Sequence, residues 1–243
     1  MRIVAIIQAR MGSTRLPGKT LQDLAGKTVL MRVVERVRRM QRIDDLAVAT
    51  TVNDQDDPVE KTCRENGVLA FRGNAEDVLD RYYRAACFFK ADAIVRITAD
   101  CPLIDPEVSD RVIQQFLDCN PDYASNVMLR TYPRGLDTEV MSLRALERAW
   151  HKATEAYQRA HVTPYIYQHP ESFVLLSVTG EEDQSRHRWT LDTLEDMQFL
   201  RMLYAKLPAS TGFGWREVLK ILDREPELVN INQHVPQKAL HEG

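Results

Sequence analysis

The sequence predicts an α/β fold: a mostly parallel sheet flanked by helices, with one small element added for a lid or for dimerisation. Two observations carry that expectation. Short β-branched-rich runs at 2–7 (RIVAII), 45–51 (DLAVATT) and 93–98 (AIVRIT) are each followed by loop residues and then by a helical apolar pattern. Such alternation calls for crossover helices, which imply parallel strands and ligands at their carboxyl ends.

At 243 residues the chain can form one large domain with a sizeable core, and no linker or internal repeat divides it. No apolar run is long enough to cross a bilayer, so no membrane partner is expected. A formal net charge of −3 gives no general basic footprint for nucleic acid. Cys63, Cys87, Cys101 and Cys119 are widely spaced without a CxxC pair, which fits reduced thiols in a cytoplasmic protein better than a disulfide frame or a zinc site.

Taken in order, 2–7 reads as a buried strand, because Gln8 and Arg10 replace the small residues of a signal-peptide cleavage site. Val29, Val33 and Val37 with Leu30, Val34 and Met40 then form an apolar helical face. Arg32, Arg36 and Arg39 fall on another face, expected to be solvated. After strand 45–51 a third strand is expected near 68–71. A helix over 76–90 follows, with acids in its first turn and Lys90 at its end, both favourable to the helix dipole. Strand 93–98 leads to a helix over 106–118, opened by Pro106 with Asp105 as its N-cap. Beyond about residue 125 the regular alternation stops. Segments 136–142 and 172–178 read as strands and 143–168 as helices, and 126–180 is expected to be an inserted lid or dimerisation element. Amphipathic helices over 193–206 and 214–223 return to the main sheet, and the tail after 235 is polar.

The loop after the first strand, QARMGSTRLPGKTL at 8–21, combines two glycines with Arg10, Arg15, Lys19 and two hydroxyls. Glycine lets backbone N–H groups approach phosphate oxygens, and the three cations suit a triphosphate and its departing pyrophosphate. The loop does not fit the Walker A pattern, which argues against a P-loop kinase or ATPase: that motif needs four residues between its glycines, five separate Gly12 from Gly18, and Pro17, which lacks an N–H, fills the place of the second glycine. GxGxxG is absent too. The bland alternative is a surface turn with solvated arginines.

QARMGSTRLPGK resembles the opening of the cytidylyltransferase superfamily, which makes CMP-activated acidic sugars, and most resembles its spore coat polysaccharide biosynthesis protein F branch. FRGNAEDVLDRYYRAA (71–86), VRITADCPLIDP (95–106), YPRGLDTEV (132–140), HVTPYI (161–166) and RWTLDTLED (188–196) resemble that branch in the same order. The resemblance covers most of the chain. It implies a nucleotide-diphospho-sugar transferase-like, Rossmann-like fold, CTP and a sugar acid as substrates, Mg²⁺ as cofactor, and a homodimer. It also implies a nucleotide-binding loop of Gln8, Ala9, Arg10, Gly12, Ser13, Arg15 and Lys19. One departure is Ala160, where relatives typically carry an acid.

Asp100 stands just past strand 93–98, where a metal ligand is expected, because a triphosphate needs a divalent ion and Mg²⁺ takes one or two carboxylates plus phosphate oxygens. Asp192 is the second candidate. A capping role for Asp192 or Thr193 is the alternative there, and the resemblance favours the metal. Arg72, Gly73 and Asp77 follow the third strand and are candidate nucleotide contacts. Arg134, Asp137 and Glu139 are candidates for the sugar acceptor, whose carboxylate calls for a cation and whose hydroxyls call for acceptors. His161 is a further substrate candidate. Trp189 and Tyr132 read as core. The rival readings are a nucleotidyltransferase using UTP, dTTP or GTP with a sugar phosphate, a glycosyltransferase, and a non-catalytic nucleotide-binding protein.

Overall fold

The computed structural model describes residues 1–208 and 212–240. Its strands are β1 (Ile3–Gln8), β2 (Asp23–Leu24), β3 (Lys27–Thr28), β4 (Asp45–Thr51), β5 (Leu69–Gly73), β6 (Ala93–Thr98), β7 (Tyr123–Ser125), β8 (Glu139–Ser142) and β9 (Leu175–Ser177). All but the β2–β3 hairpin join one seven-stranded sheet, in the order β5-β4-β1-β6-β8-β7-β9. Pairings are parallel except at β8, which runs against both β6 and β7. The mostly parallel, helix-flanked sheet is therefore the one the alternation predicted.

The helices are α1 (Val29–Val37), α2 (Asp57–Glu65), α3 (Val78–Phe88), α4 (Pro106–Cys119), α5 (Leu143–Lys152), α6 (Ala156–His161), α7 (Pro164–Tyr167), α8 (Leu194–Tyr204) and α9 (Trp215–Arg224). They cover both faces of the sheet, so central strands are apolar on both sides. In β1, Ile3, Ala5 and Ile7 pack with α1, α2 and α4, while Val4 and Ile6 pack with α3, α5 and α7. Asp105 caps α4 by accepting the amides of Glu107 at 3.0 Å and Val108 at 3.2 Å.

Three expectations change. Arg32 and Arg36 are buried rather than solvated. The Nε of Arg36 donates to the Ile104 carbonyl at 2.5 Å and its guanidinium lies 4.1 Å from the Phe213 ring centre. Arg32 donates to the Leu24 carbonyl at 2.9 Å and lies over Tyr204. The reason is the second change: α8 and α9 do not return to the sheet. With Leu24, Val29 and Trp189 they build a third apolar cluster, which covers the outer side of α1. Third, the segment 126–180 contributes β8 and β9 to the sheet itself, β8 lying between β6 and β7.

Candidate functional site

The carboxyl ends of β1 and β6 open into one cleft, the place where ligands bind in open parallel sheets. The loop leaving β1 is tied at both ends. The Met11 amide donates to Asp56 at 2.6 Å, the Thr20 hydroxyl donates to the Arg10 carbonyl at 2.9 Å, and the Gly18 amide reaches the Met11 carbonyl at 3.1 Å. Gly18 has φ +70°, so the conformational need for glycine falls there. Gly12 is exposed and lines neither cavity described below.

Lys19 projects from this loop between two carboxylates. Its Nζ donates to Asp100 Oδ2 at 2.8 Å, to Asp192 Oδ1 at 2.9 Å and to the Leu191 carbonyl at 2.5 Å. Backbone bonding fixes that convergence, because the Leu191 amide donates to the Asp100 carbonyl at 2.8 Å. Burial opposes ionisation of Asp100, but the Lys19 ammonium and the Thr98 hydroxyl outweigh it and hold the carboxyl down at about 2. Burial likewise works against the Lys19 charge, and the two carboxylates more than offset it, raising its pKa. Asp192 is not a helix cap. Thr193 caps α8 by accepting the Asp196 amide, which leaves the Asp192 side chain to face the cleft.

Arg188, which the sequence did not single out, completes the cluster. It donates to Asp192 Oδ2 at 2.9 Å and, through two nitrogens, to the fully buried Asp196 at 2.9 Å each. Arg15 also pairs with Asp192 Oδ2 at 2.9 Å. Arg188 and Asp192 lie in an extended segment before α8, so no helical spacing marked their pairing in the sequence.

Two adjoining cavities meet at this cluster. One, of about 490 Å³, is lined by Gln8, Ala9, Arg10, Ser13, Arg15, Lys19 and Asp100, with Arg134, His161 and Asp192 at its side. The other, of about 400 Å³, shares Gln8, Asp100, Arg134, His161 and Asp192 and adds Arg130, Asp137 and Glu139. A close approach of two chain segments builds the shared wall. The Arg134 amide donates to the His187 carbonyl at 2.9 Å and the Arg134 carbonyl accepts from the Trp189 amide at 2.7 Å. Among the described residues the Arg134 guanidinium has no carboxylate partner, whereas Arg130 and Asp137 form a bidentate pair at 2.6 and 2.9 Å.

His161 lies on the wall common to both cavities, and its Nε2 is buried without a partner among the described residues. It precedes a strained turn: Val162 is buried with φ 75° and ψ −57°, and the Thr163 amide closes onto the His161 carbonyl at 2.9 Å. A β-branched residue rarely holds that conformation. Burial, then the positive charge of Arg96, lowers the His161 pKa.

Four predicted contacts are engaged elsewhere. Arg72 pairs with Asp57 at 2.6 Å and Glu60 at 3.0 Å on the flank of α2, outside both cavities. Gly73 is a packing glycine, since a Cβ there would sit 2.9 Å from the Arg81 side chain. Asp77 caps α3 and pairs with Arg159. Glu139 lines the second cavity, but both its oxygens are spent, one on the Tyr123 hydroxyl at 2.5 Å and the Thr163 hydroxyl at 2.7 Å, the other on Arg96. All four sit in the expected order along the chain. Side-chain pairing, which no spacing reveals, engages Arg72 and Asp77 outside both cavities and occupies the Glu139 carboxylate at the wall of the second.

The family model for cytidylyltransferases matches residues 4–220. An uncharacterized protein of Methanocaldococcus jannaschii is 40% identical, covering 100% of this chain and 99% of its own. Spore coat polysaccharide biosynthesis protein SpsF of Bacillus subtilis is 35% identical over 93% and 95% of the two chains. A 3-deoxy-manno-octulosonate cytidylyltransferase of Trichlorobacter lovleyi is 39% identical, over 48% of this chain and 46% of its own. The solved structure of a cytidylyltransferase from Leptospira borgpetersenii superposes with a TM-score of 0.91 at 34% identity, covering 98% of this chain and 100% of that one.

Proposed function

The chain belongs to the cytidylyltransferase family and is a nucleotidyltransferase, and from that premise we propose that it couples CTP to an acidic sugar, giving a CMP-sugar and pyrophosphate. The observation that carries this reading is the convergence of Asp100 and Asp192 on one ammonium beneath a loop bearing Arg10, Arg15 and Lys19. Two carboxylates from separate segments, both within 3 Å of one Nζ, offer the hard oxygen donors that suit Mg²⁺, which completes its shell with phosphate oxygens and water. Asp100 and Asp192 are the residues that would hold it. When bound, Mg²⁺ supplies charge compensation at the α-phosphate and the departing pyrophosphate.

The chain's own residues do the rest by placement and charge. A sugar hydroxyl in the second cavity faces the α-phosphorus in the first. The hydroxyl gives up its proton to water as the new oxygen–phosphorus bond forms and the α–β bridge breaks, and the negative charge that collects on pyrophosphate meets Arg10, Arg15 and Lys19. The Arg134 guanidinium, between the cavities and without a carboxylate partner among the described residues, supports an acceptor that carries a carboxylate, and the resemblance to a relative named as a 3-deoxy-manno-octulosonate cytidylyltransferase points the same way.

The test is pyrophosphate release with Mg²⁺, each nucleoside triphosphate in turn and a panel of sugar acids and sugar phosphates. Release with CTP and an acidic sugar, reduced at least about 100-fold in Asp100→Asn, is the expected result. Release only with another triphosphate and a sugar phosphate would replace this assignment with the rival nucleotidyltransferase reading.

A further inference from the structure

The ion pairs of the cleft raise a charge problem whose solution lies at the far end of the chain. Lys19, Arg15 and Arg188 face Asp100, Asp192 and Asp196 in one connected cluster, three cations against three anions. Each of those cations is therefore already balanced by a carboxylate, and Lys19 and Arg15 are freed toward a triphosphate only where a divalent ion takes up Asp100 and Asp192. Among the described residues, the cations lining the 490 Å³ cavity without a carboxylate partner are Arg10, Arg134 and Lys238. Arg10 comes from the phosphate loop and Arg134 borders the acceptor cavity. Lys238 comes from the polar tail.

That tail crosses the mouth of the cavity and is bonded to both of its sides. Asn232 anchors it, donating to the Arg188 carbonyl at 3.0 Å and to Asp196 at 2.9 Å in a buried position. Gln237 Oε1 then accepts from Arg188 at 3.0 Å, and the Pro236 carbonyl accepts from Arg15 at 3.5 Å. Lys238 Nζ reaches the Thr14 hydroxyl at 3.4 Å, and Leu240 lines the cavity together with His161. Residues 237–240 all line the cavity. The Lys238 contact is long and neutral, so its ammonium keeps donors for an anion at the end of the cavity formed by Thr14 and Arg15.

We propose that segment 236–240 is a strap forming the outer wall of the nucleotide cavity, and that Lys238 binds the terminal phosphates of the nucleoside triphosphate. This rests on the cytidylyltransferase reading and adds to it a residue outside every motif that carries the resemblance. Because the strap's bonds run through the carbonyl of Pro236 and the side chain of Gln237, it sits on the cluster without consuming Lys238.

The experiment is calorimetric binding of CTP and of CMP, each with Mg²⁺, to the wild type, Lys238→Ala, Lys238→Arg and a chain ending at Val235. Lys238 is exposed, so its variants should melt with the wild type. The expected result is a loss of about tenfold in CTP affinity for Lys238→Ala, the size of one charge-assisted phosphate contact. CMP affinity should be unchanged, Lys238→Arg should retain CTP binding, and the truncated chain should lose at least as much as Lys238→Ala. Wild-type CTP affinity in Lys238→Ala, or an equal loss for CTP and CMP, would overturn the assignment. Tighter CTP binding by the truncated chain would overturn it too, making the strap a plug. Failure of the wild type to bind CTP at all would instead overturn the functional reading beneath it.

Discussion

Gly135 gives the strongest single test of how the cleft is assembled. It has φ +108°, and a Cβ built on it would lie 2.7 Å from both the carbonyl carbon and the oxygen of Trp189. Gly135→Ala therefore meets two costs. A positive φ costs an alanine about 1–2 kcal/mol, and overlap with backbone that cannot rotate away adds about 1–3 kcal/mol. Gly67→Ala isolates the first cost, because Gly67 has φ +60° and nothing within 4 Å of its Cβ position. At about 2–4 °C per kcal/mol for a chain of this size, Gly135→Ala should melt roughly 2–12 °C below Gly67→Ala in differential scanning calorimetry. Pyrophosphate release should fall only in Gly135→Ala, since the segments forced apart carry Arg134 and Arg188. Equal melting of the two variants, with equal activity, would refute the argument that this backbone contact builds the shared wall.

Asp196→Asn leaves the buried Arg188 charge short of its main partner, which costs about 3–5 kcal/mol for a broken buried pair. Urea unfolding should show that loss, and wild-type stability would count against the cluster. Arg72→Ala should leave the KM for CTP within about twofold, the spread of a surface change remote from the ligand, whereas a large rise would return Arg72 to the nucleotide site. His161 and His187 both have pKa values lowered first by burial. The folded state then binds fewer protons than the unfolded chain, so stability should fall as pH drops below the ordinary histidine value of about 6.5. Thermal melts at pH 5.5 and 7.5 should show the loss, and His161→Gln should shrink it.

Much of the fold was legible because parallel strands buried on both faces must be apolar throughout. Thus β1, β4 and β6 announced themselves as short β-branched runs, and the loops at their carboxyl ends marked the cleft. Asp105, Trp189 and Tyr132 were legible for similarly local reasons, a cap before a proline and large apolar surface. Arg32 and Arg36 were misread because period alone shows which residues share a helix face but not what will cover it. The α8–α9 unit that buries them comes from the other end of the chain.

The same division runs through the site. Sequence by itself determined that the chain carries a cationic, glycine-bearing loop after its first strand and an aspartate after its central strand. Those are local consequences of residue type, and they set the chemistry as phosphate chemistry. Only the tertiary structure decided which charges neutralise one another and which remain for a ligand. It spent Glu139, Asp77 and Arg72 on neighbours, balanced Lys19 and Arg15 against Asp100 and Asp192, and drew Arg188 and Lys238 into the cleft. Ion pairing depends on distances of about 3–4 Å between residues that can be 200 positions apart, and nothing in local spacing encodes such a distance.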